Sequence, residues 1–179
     1  MTAPQTALPS PPEPTGQTAP RTVHFDELTK ELVGQSLGTS AWRTITQDKI
    51  NAFAALTEDE QWIHVDPVRA AVEGPFGGAI AHGYMTLCLL TALLADVVEL
   101  QGAASVLNYG VDGVRFTAAV PVDSRVRAHI SVGSVRRRGA QFTEVIFHLD
   151  YGLEGSDTPP CKADVITLIS PAGAFDGEG

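Results

Sequence analysis

The chain is short of cysteine, of positive charge and of long unbroken apolar runs, and each shortage excludes something. Only two cysteines occur in 179 residues. Cys88 sits inside an apolar run and Cys161 beside two prolines, with no metal-ligand spacing between them. They read as reduced structural thiols, and the expected compartment is the cytoplasm. Twelve lysines and arginines face 21 acids, a net charge of −9. Nucleic acid is thereby excluded as a main partner, because phosphate binding needs a basic face, and nothing suggests a membrane surface. The longest near-continuous apolar stretch, YMTLCLLTALLADVV, is too short for a membrane span and ends near Asp96. The start of the chain lacks a charged region followed by an apolar one, so no secretory leader is expected. What remains is 44 % hydrophobic residues with 7 % aromatics, enough for one domain with one core.

Residues 1–20 hold half of the twelve prolines and a single charge, Glu13. They predict a disordered tail, and residues 172–179 predict a second, flexible one. The folded body is expected over 21–171. Its first half carries helical signals. FDELTKELVG predicts a short helix closed by Gly34, and SAWRTI a strand. Thr46 offers an N-cap to QDKINAFAAL, with Ile50, Phe53, Ala54 and Leu56 on one face. Asp66 and Pro67 begin one or two further turns. IAHGYMTLCLLTALLADVVEL predicts one long helix, apolar nearly all round and therefore buried on most sides. After Gly102 the pattern changes to period two. RVRAHISV and FTEVIFHLDY alternate as half-buried antiparallel strands do, and RRRGA supplies a hairpin turn. One long buried helix plus a run of antiparallel strands predicts an α+β fold with the sheet curled around the helix.

Two stretches carry chemistry. In TEDEQWIH, Asp59 precedes His64 by five residues. Five residues on an ideal helix turn about 140°, so the two side chains converge only if a helix ends near Asp59 and the chain turns. A carboxylate and an imidazole brought to one point suit acid–base work on a small molecule such as water. The spacing alone is a weak motif, and the acids around it are read as solvated charges. Asp66 reads as a helix cap. A metal site from His64, Asp66 and His82 fits no familiar ligand spacing, and no metal is expected. The second stretch, GPFGGAIAHG, ends where Gly83 opens the long helix. Its backbone N–H has no intrahelical partner and can face developing negative charge. The glycines equally serve a tight turn into the helix, and the two roles are compatible.

The run D-x4-H-x-D-P…G-P-F-G-x-x-I-A-H-G, from Asp59 onward, resembles the signature of the MaoC-like dehydratases, which include the (R)-specific, type-2 enoyl-CoA hydratases. QWIHVDP followed by GPFGGAIAHGY is similar to the branch with the nodulation protein N-like proteins, and residues 108–127 also match. The resemblance spans about residues 22–170. It implies a single hotdog fold, a long central helix wrapped by a curved antiparallel sheet. It implies a hydro-lyase that interconverts trans-2-enoyl-CoA and (3R)-3-hydroxyacyl-CoA with no cofactor, the CoA thioester being the substrate. Asp59 and His64 match the pair that activates water, with Asp59 expected as the base. Gly83 matches the N–H that polarises the thioester carbonyl. The chain departs from the commoner pattern G-D-x-N-P-[ILV]-H at Glu58, Gln61 and Trp62, which bears on substrate choice. Gln61, Trp62 and His82 are carried as substrate-contacting residues, Tyr109 and Phe116 as acyl-pocket residues, and Arg115 as a CoA-phosphate ligand. Arg125 and Arg127 are grouped with Arg115 for those phosphates, Arg136–Arg138 serve either them or a solvated hairpin turn, and Thr91 is a candidate to face the water.

The fold leaves a sheet edge uncovered, so a homodimer with one continuous sheet is expected, with room for a dimer of dimers. Two other functions compete. A hotdog thioesterase would use a similar acid, water and helix N-terminus to attack the thioester carbon. A non-catalytic acyl-CoA binding protein would only hold the ligand. The product separates the three: water added across C2=C3, free CoA, or binding alone.

Overall fold

The computed structural model describes residues 19–139 and 141–174. Most of the proline-rich stretch and residues 175–179 lie outside the described residues. Of the second tail, Ala172 is tied down, its N–H donating to the Gly102 carbonyl at 2.8 Å.

In chain order the elements are β1 (Arg21–His24), two 3-10 turns (Phe25–Glu27 and Lys30–Leu32), β2 (Ser36–Thr39), β3 (Arg43–Thr44), α1 (Gln47–Thr57), α2 (Trp62–Val65), α3 (Pro67–Glu73), α4 (Gly83–Cys88), α5 (Leu90–Ala95), β4 (Val98–Gln101), β5 (Ala103–Phe116), β6 (Arg125–Arg138), β7 (Phe142–Leu153) and β8 (Cys161–Pro171). The main sheet runs β2-β6-β7-β8-β5, with β3 also on β6, all antiparallel. β6 shows the alternation expected of a half-buried strand: Val126, Ala128, Ile130 and Val132 face inward and their neighbours outward. The β6–β7 hairpin closes on the Arg138↔Phe142 pair, with Gly139 at φ 65° supplying the left-handed turn residue.

The helical layer lies on the concave face. Leu87, Leu93 and Leu94 pack among Ala128, Ile130, Val145, Phe147, Leu149 and Val165, all buried. Each of these side chains larger than alanine contributes roughly 1.5–3 kcal/mol of burial. A second cluster, Ile45, Ile50, Ala81, Met85, Val120 and Val126, joins α1 to the start of α4. That cluster forms the floor beneath the site.

Three expectations need correction. The long helix spans α4 and α5 only. It tightens at Leu89, whose N–H reaches back three residues to the Thr86 carbonyl (3.3 Å). It then stops at Ala95 because Val98–Gln101 pair in parallel with β1, a partner strand that the sequence pattern hid. FDELTKELVG is two 3-10 turns split by Thr29, whose hydroxyl caps the second. Leu56 does not join the buried face of α1; it is 82 % exposed.

Candidate active site

The site is built by three short helices whose ends are fixed by local chemistry. Thr46 caps α1 by accepting from the Lys49 N–H. The helix ends at Thr57, and Glu58 takes a left-handed conformation (φ 60°), turning the chain so that Asp59 and His64 converge. Asp66 caps α3 by accepting from the Arg69 N–H at 3.0 Å, with Pro67 at the first helical position. Gln47, at the start of α1, clamps α2 from outside: its amide donates to the His64 carbonyl at 2.7 Å. From the other side, the Ile80 N–H donates to the Ile63 carbonyl at 3.1 Å.

These contacts aim the His64 ring. It is buried, and its Nδ1–H donates to the Ile80 carbonyl at 2.7 Å. In the neutral ring that leaves Nε2 with a lone pair only. Burial pushes the His64 imidazole down. The Ile80 hydrogen bond lifts it, the neighbouring His82 lowers it, and the Asp59 carboxylate lifts it; it settles below the ordinary histidine value. His64 is therefore neutral near pH 7. Asp59 is exposed, and its carboxylate and the two imidazoles offer ligand atoms within 4.8 Å of one another. The same trio could be read as a metal cluster. However, His64 and His82 stack face to face, centroids 3.8 Å apart and planes 27° apart. Stacked rings send their in-plane lone pairs side by side, and one nitrogen of each is already a donor. A cation with bonds of about 2.0–2.2 Å needs them to converge. The geometry therefore does not suit a cation.

His64 opens onto a cavity of about 350 Å³. Its walls include Phe76, Ile80, Gly83, Thr86, Phe116 and the Ala118–Val120 segment. Gly83 is the first residue of α4, and a side chain there has no room: a Cβ would stand 2.9 Å from the Phe116 ring. Glycine thus lets Phe116 lie against the helix start, leaving the cavity between that ring and His64. Of the residues singled out in the sequence, His64, Gly83 and Phe116 meet in this cavity, with Asp59 beside His64. His82 lies behind the His64 ring, 2 % exposed. Gln61 is the exposed N-cap of α2 and makes no side-chain cap. Trp62 faces α3, with the Arg69 guanidinium 4.5 Å over its ring. Tyr109 is 60 % exposed on β5, where it lines a separate cleft with Cys88 and Thr91. Thr91 accepts from the Asn108 amide at 3.2 Å and is likewise away from His64.

The arginines divide in the same way. Arg136 and Arg138 pair with the buried Glu144 carboxylate. Burial pushes that carboxyl up, but the two guanidiniums outweigh it and hold it below its ordinary value. Arg125 pairs with Glu154, and Arg127 covers Trp42 at 4.3 Å. Arg115 is exposed next to Phe116, and among the described residues its side chain bonds only to the Val114 carbonyl (2.7 Å). Sequence reasoning missed Phe76, Thr86 and the Ile80 carbonyl. Thr86 carried a usable signal, a polar residue one turn into an apolar helix, and it is buried on the cavity wall.

Comparison with known proteins agrees with this architecture. A MaoC-like domain model matches residues 29–148. The chain is 47 % identical over 133 residues to a 3-hydroxyacyl-thioester dehydratase Z of Mycobacterium tuberculosis, covering 74 % of this chain and 87 % of that protein. It is 42 % identical over 138 residues to nodulation protein N of Rhizobium leguminosarum bv. viciae, covering 76 % and 86 %. The unliganded R-hydratase of Pseudomonas aeruginosa superposes with a TM-score of 0.64 at 21 % identity, covering 78 % of this chain and 82 % of that one. Fold and relatives together define a hydro-lyase of the hotdog class. The chain belongs to the MaoC-like dehydratase family.

Proposed function

We propose that this protein reversibly hydrates a trans-2-enoyl-CoA to a (3R)-3-hydroxyacyl-CoA in the cytoplasm, with no metal or cofactor. The observation that carries the proposal is the meeting of the His64 imidazole and the Gly83 backbone in one cavity, with the Asp59 carboxylate beside His64. The acyl chain enters the cavity with its thioester oxygen on the Gly83 N–H. A water sits between Asp59 and Nε2 of His64, which accepts one O–H and aims the oxygen at C3. Asp59 takes the other proton as the C–O bond forms. The C2=C3 electrons move into an enolate whose charge falls on the thioester oxygen, where a fixed donor contributes about 3 kcal/mol. The enolate collapses by taking the proton from Asp59 at C2. One water is consumed, and no group leaves.

Arg115, an exposed cation one residue before Phe116, is the proposed ligand of the CoA phosphates. The dimer has support of its own. β5 is an edge strand with apolar residues open on both faces: Val106 is 48 % exposed, Leu107 47 % and Tyr109 60 %. A second copy pairing at this edge would satisfy its free backbone groups and cover these side chains. Among the described residues no helix is long and apolar enough to cross a membrane.

The test follows the enone absorbance of crotonyl-CoA and of a longer trans-2-enoyl-CoA, with thiol release monitored in parallel. Wild type should consume the enone without releasing thiol, and folded Asp59→Asn and His64→Ala should each lose the activity. Thiol release would identify a thioesterase. Binding without any reaction would identify a carrier.

A further inference from the structure

His82 is the residue that the reaction leaves unexplained. It is 2 % exposed and does not line the cavity. Its ring is enclosed between Phe53 (centroids 5.1 Å) and His64 (3.8 Å). A phenylalanine would fill such a slot, and would do so without stranding a polar atom. As it stands, Nδ1 of His82 is buried with no hydrogen-bond partner among the described residues, an arrangement that disfavours histidine. The other nitrogen gives the compensating contact: Nε2–H donates to the Asp59 backbone carbonyl at 2.9 Å. One side chain thus ties the backbone of one member of the acid–base pair while its face supports the ring of the other. Asp59 needs that tie. It follows a left-handed residue in an exposed turn, and its carboxylate has no hydrogen bond to a neighbour among the described residues.

We propose that His82 is the positioning residue of the pair: by holding the Asp59 carbonyl from behind the His64 ring, it sets the distance between the Asp59 carboxylate and Nε2 of His64. The inference rests on the hydratase reading for its kinetic consequence, but not for its structural one. Two substitutions separate its two contacts. His82→Phe keeps the ring and removes the donor. His82→Gln removes the ring and keeps an N–H at the reach of Nε2. Carboxylate misplacement near 1 Å costs about 10²-fold in rate, so H82F should lose roughly 10–100-fold in kcat on crotonyl-CoA with KM little changed. H82Q should recover most of the loss. Equal losses in both variants, retained activity in both, or loss in H82Q alone would overturn the proposal and leave His82 a packing residue.

A readout independent of turnover is the 15N–1H spectrum. Wild type should show His82 as the Nε2–H tautomer. The Asp59 and Glu60 amides should move in H82F and stay close to wild type in H82Q. If wild type proves inactive on every enoyl-CoA, the hydratase reading fails, and these shifts still decide whether His82 positions Asp59; unchanged amides in H82F refute it.

Discussion

Gly83→Ala tests the geometry of the cavity most directly. The added Cβ would lie 2.9 Å from Cγ and Cδ2 of Phe116 and 3.0 Å from Cε2. Carbon atoms rest at about 3.5–4.0 Å, so the ring or the helix start must retreat by about 0.6 Å or more. Cγ is the root of the ring, so the ring cannot give way by bending its far end; it must rotate about χ1 into the cavity, or α4 must move. The first response fills the cavity in front of the Gly83 N–H with the ring, and the second displaces that N–H relative to His64. Misplacement of this order costs about 10²-fold, and losing the donor altogether costs about 3 kcal/mol. We expect kcat/KM on crotonyl-CoA to fall roughly 10–100-fold, equivalent to about 1.4–2.7 kcal/mol. Stability should fall by about 0–2 kcal/mol, overpacking of about 1–3 kcal/mol less about 1 kcal/mol of alanine's helix preference. The diagnostic is the pairing with Phe116→Ala. Removing the ring abolishes the clash, so the double variant should lose less than the two single losses combined, with a coupling of at least about 1 kcal/mol. Additive losses, or a G83A enzyme as fast as wild type, would refute the close approach as the reason for glycine at this position.

Two further outcomes follow from the same structure. Nε2 of His64 accepts from the water only while the ring is neutral, and burial holds the imidazole below the ordinary histidine value. The acid limb of kcat/KM should therefore fall with a midpoint below the ordinary histidine value of about 6.5; a midpoint above 6.5, read from the pH–rate profile, would refute a His64 imidazole lowered by burial. The exposed β5 edge predicts a dimer by light scattering, and Tyr109→Lys, placed on that edge and off the cavity wall, should shift the chain toward monomer.

The parts of the fold that were legible in the sequence are those whose partners are close in the chain or whose periodicity is strong. Thr46 and Asp66 as caps, α1, α3 and the four long strands are of this kind. What was hidden depended on distant pairing. Nothing in VVEL says strand until Arg21–His24 lies beside it, and a parallel pair has no hairpin to mark it. The two faces of β5 tell a related story. Tyr109 and Phe116 are both strand aromatics, but they stand seven residues apart, an odd spacing that puts them on opposite faces, and the two bulges between them, at Asn108/Gly110 and Asp112/Arg115, leave that parity unchanged. Phe116 then reaches the cavity while Tyr109 stays on the open edge.

The candidate site was legible to the extent that Asp59, His64 and Gly83 come together, and the structure shows why three departures from the commoner motif need not undo that meeting. Glu58 stands where glycine is usual, and its φ of 60° is the conformation that glycine enters freely and other residues at about 1 kcal/mol. Gln61 stands where asparagine is usual and is the N-cap of α2, a position that asparagine suits and glutamine serves poorly; accordingly its side chain caps nothing. Trp62 stands where proline is usual and is the first residue of α2, the position proline tolerates best in a helix. All three are turn-building positions. Substitution there removes local conformational preference, and tertiary clamps must hold the turn instead: the Gln47 amide on the His64 carbonyl, the Ile80 backbone on Ile63, and the Arg69 guanidinium over Trp62. A motif read as a string treats these positions as chemistry. Placed in the fold, they are the scaffold that delivers Asp59 and His64, and this chain delivers the same pair by a different set of supports.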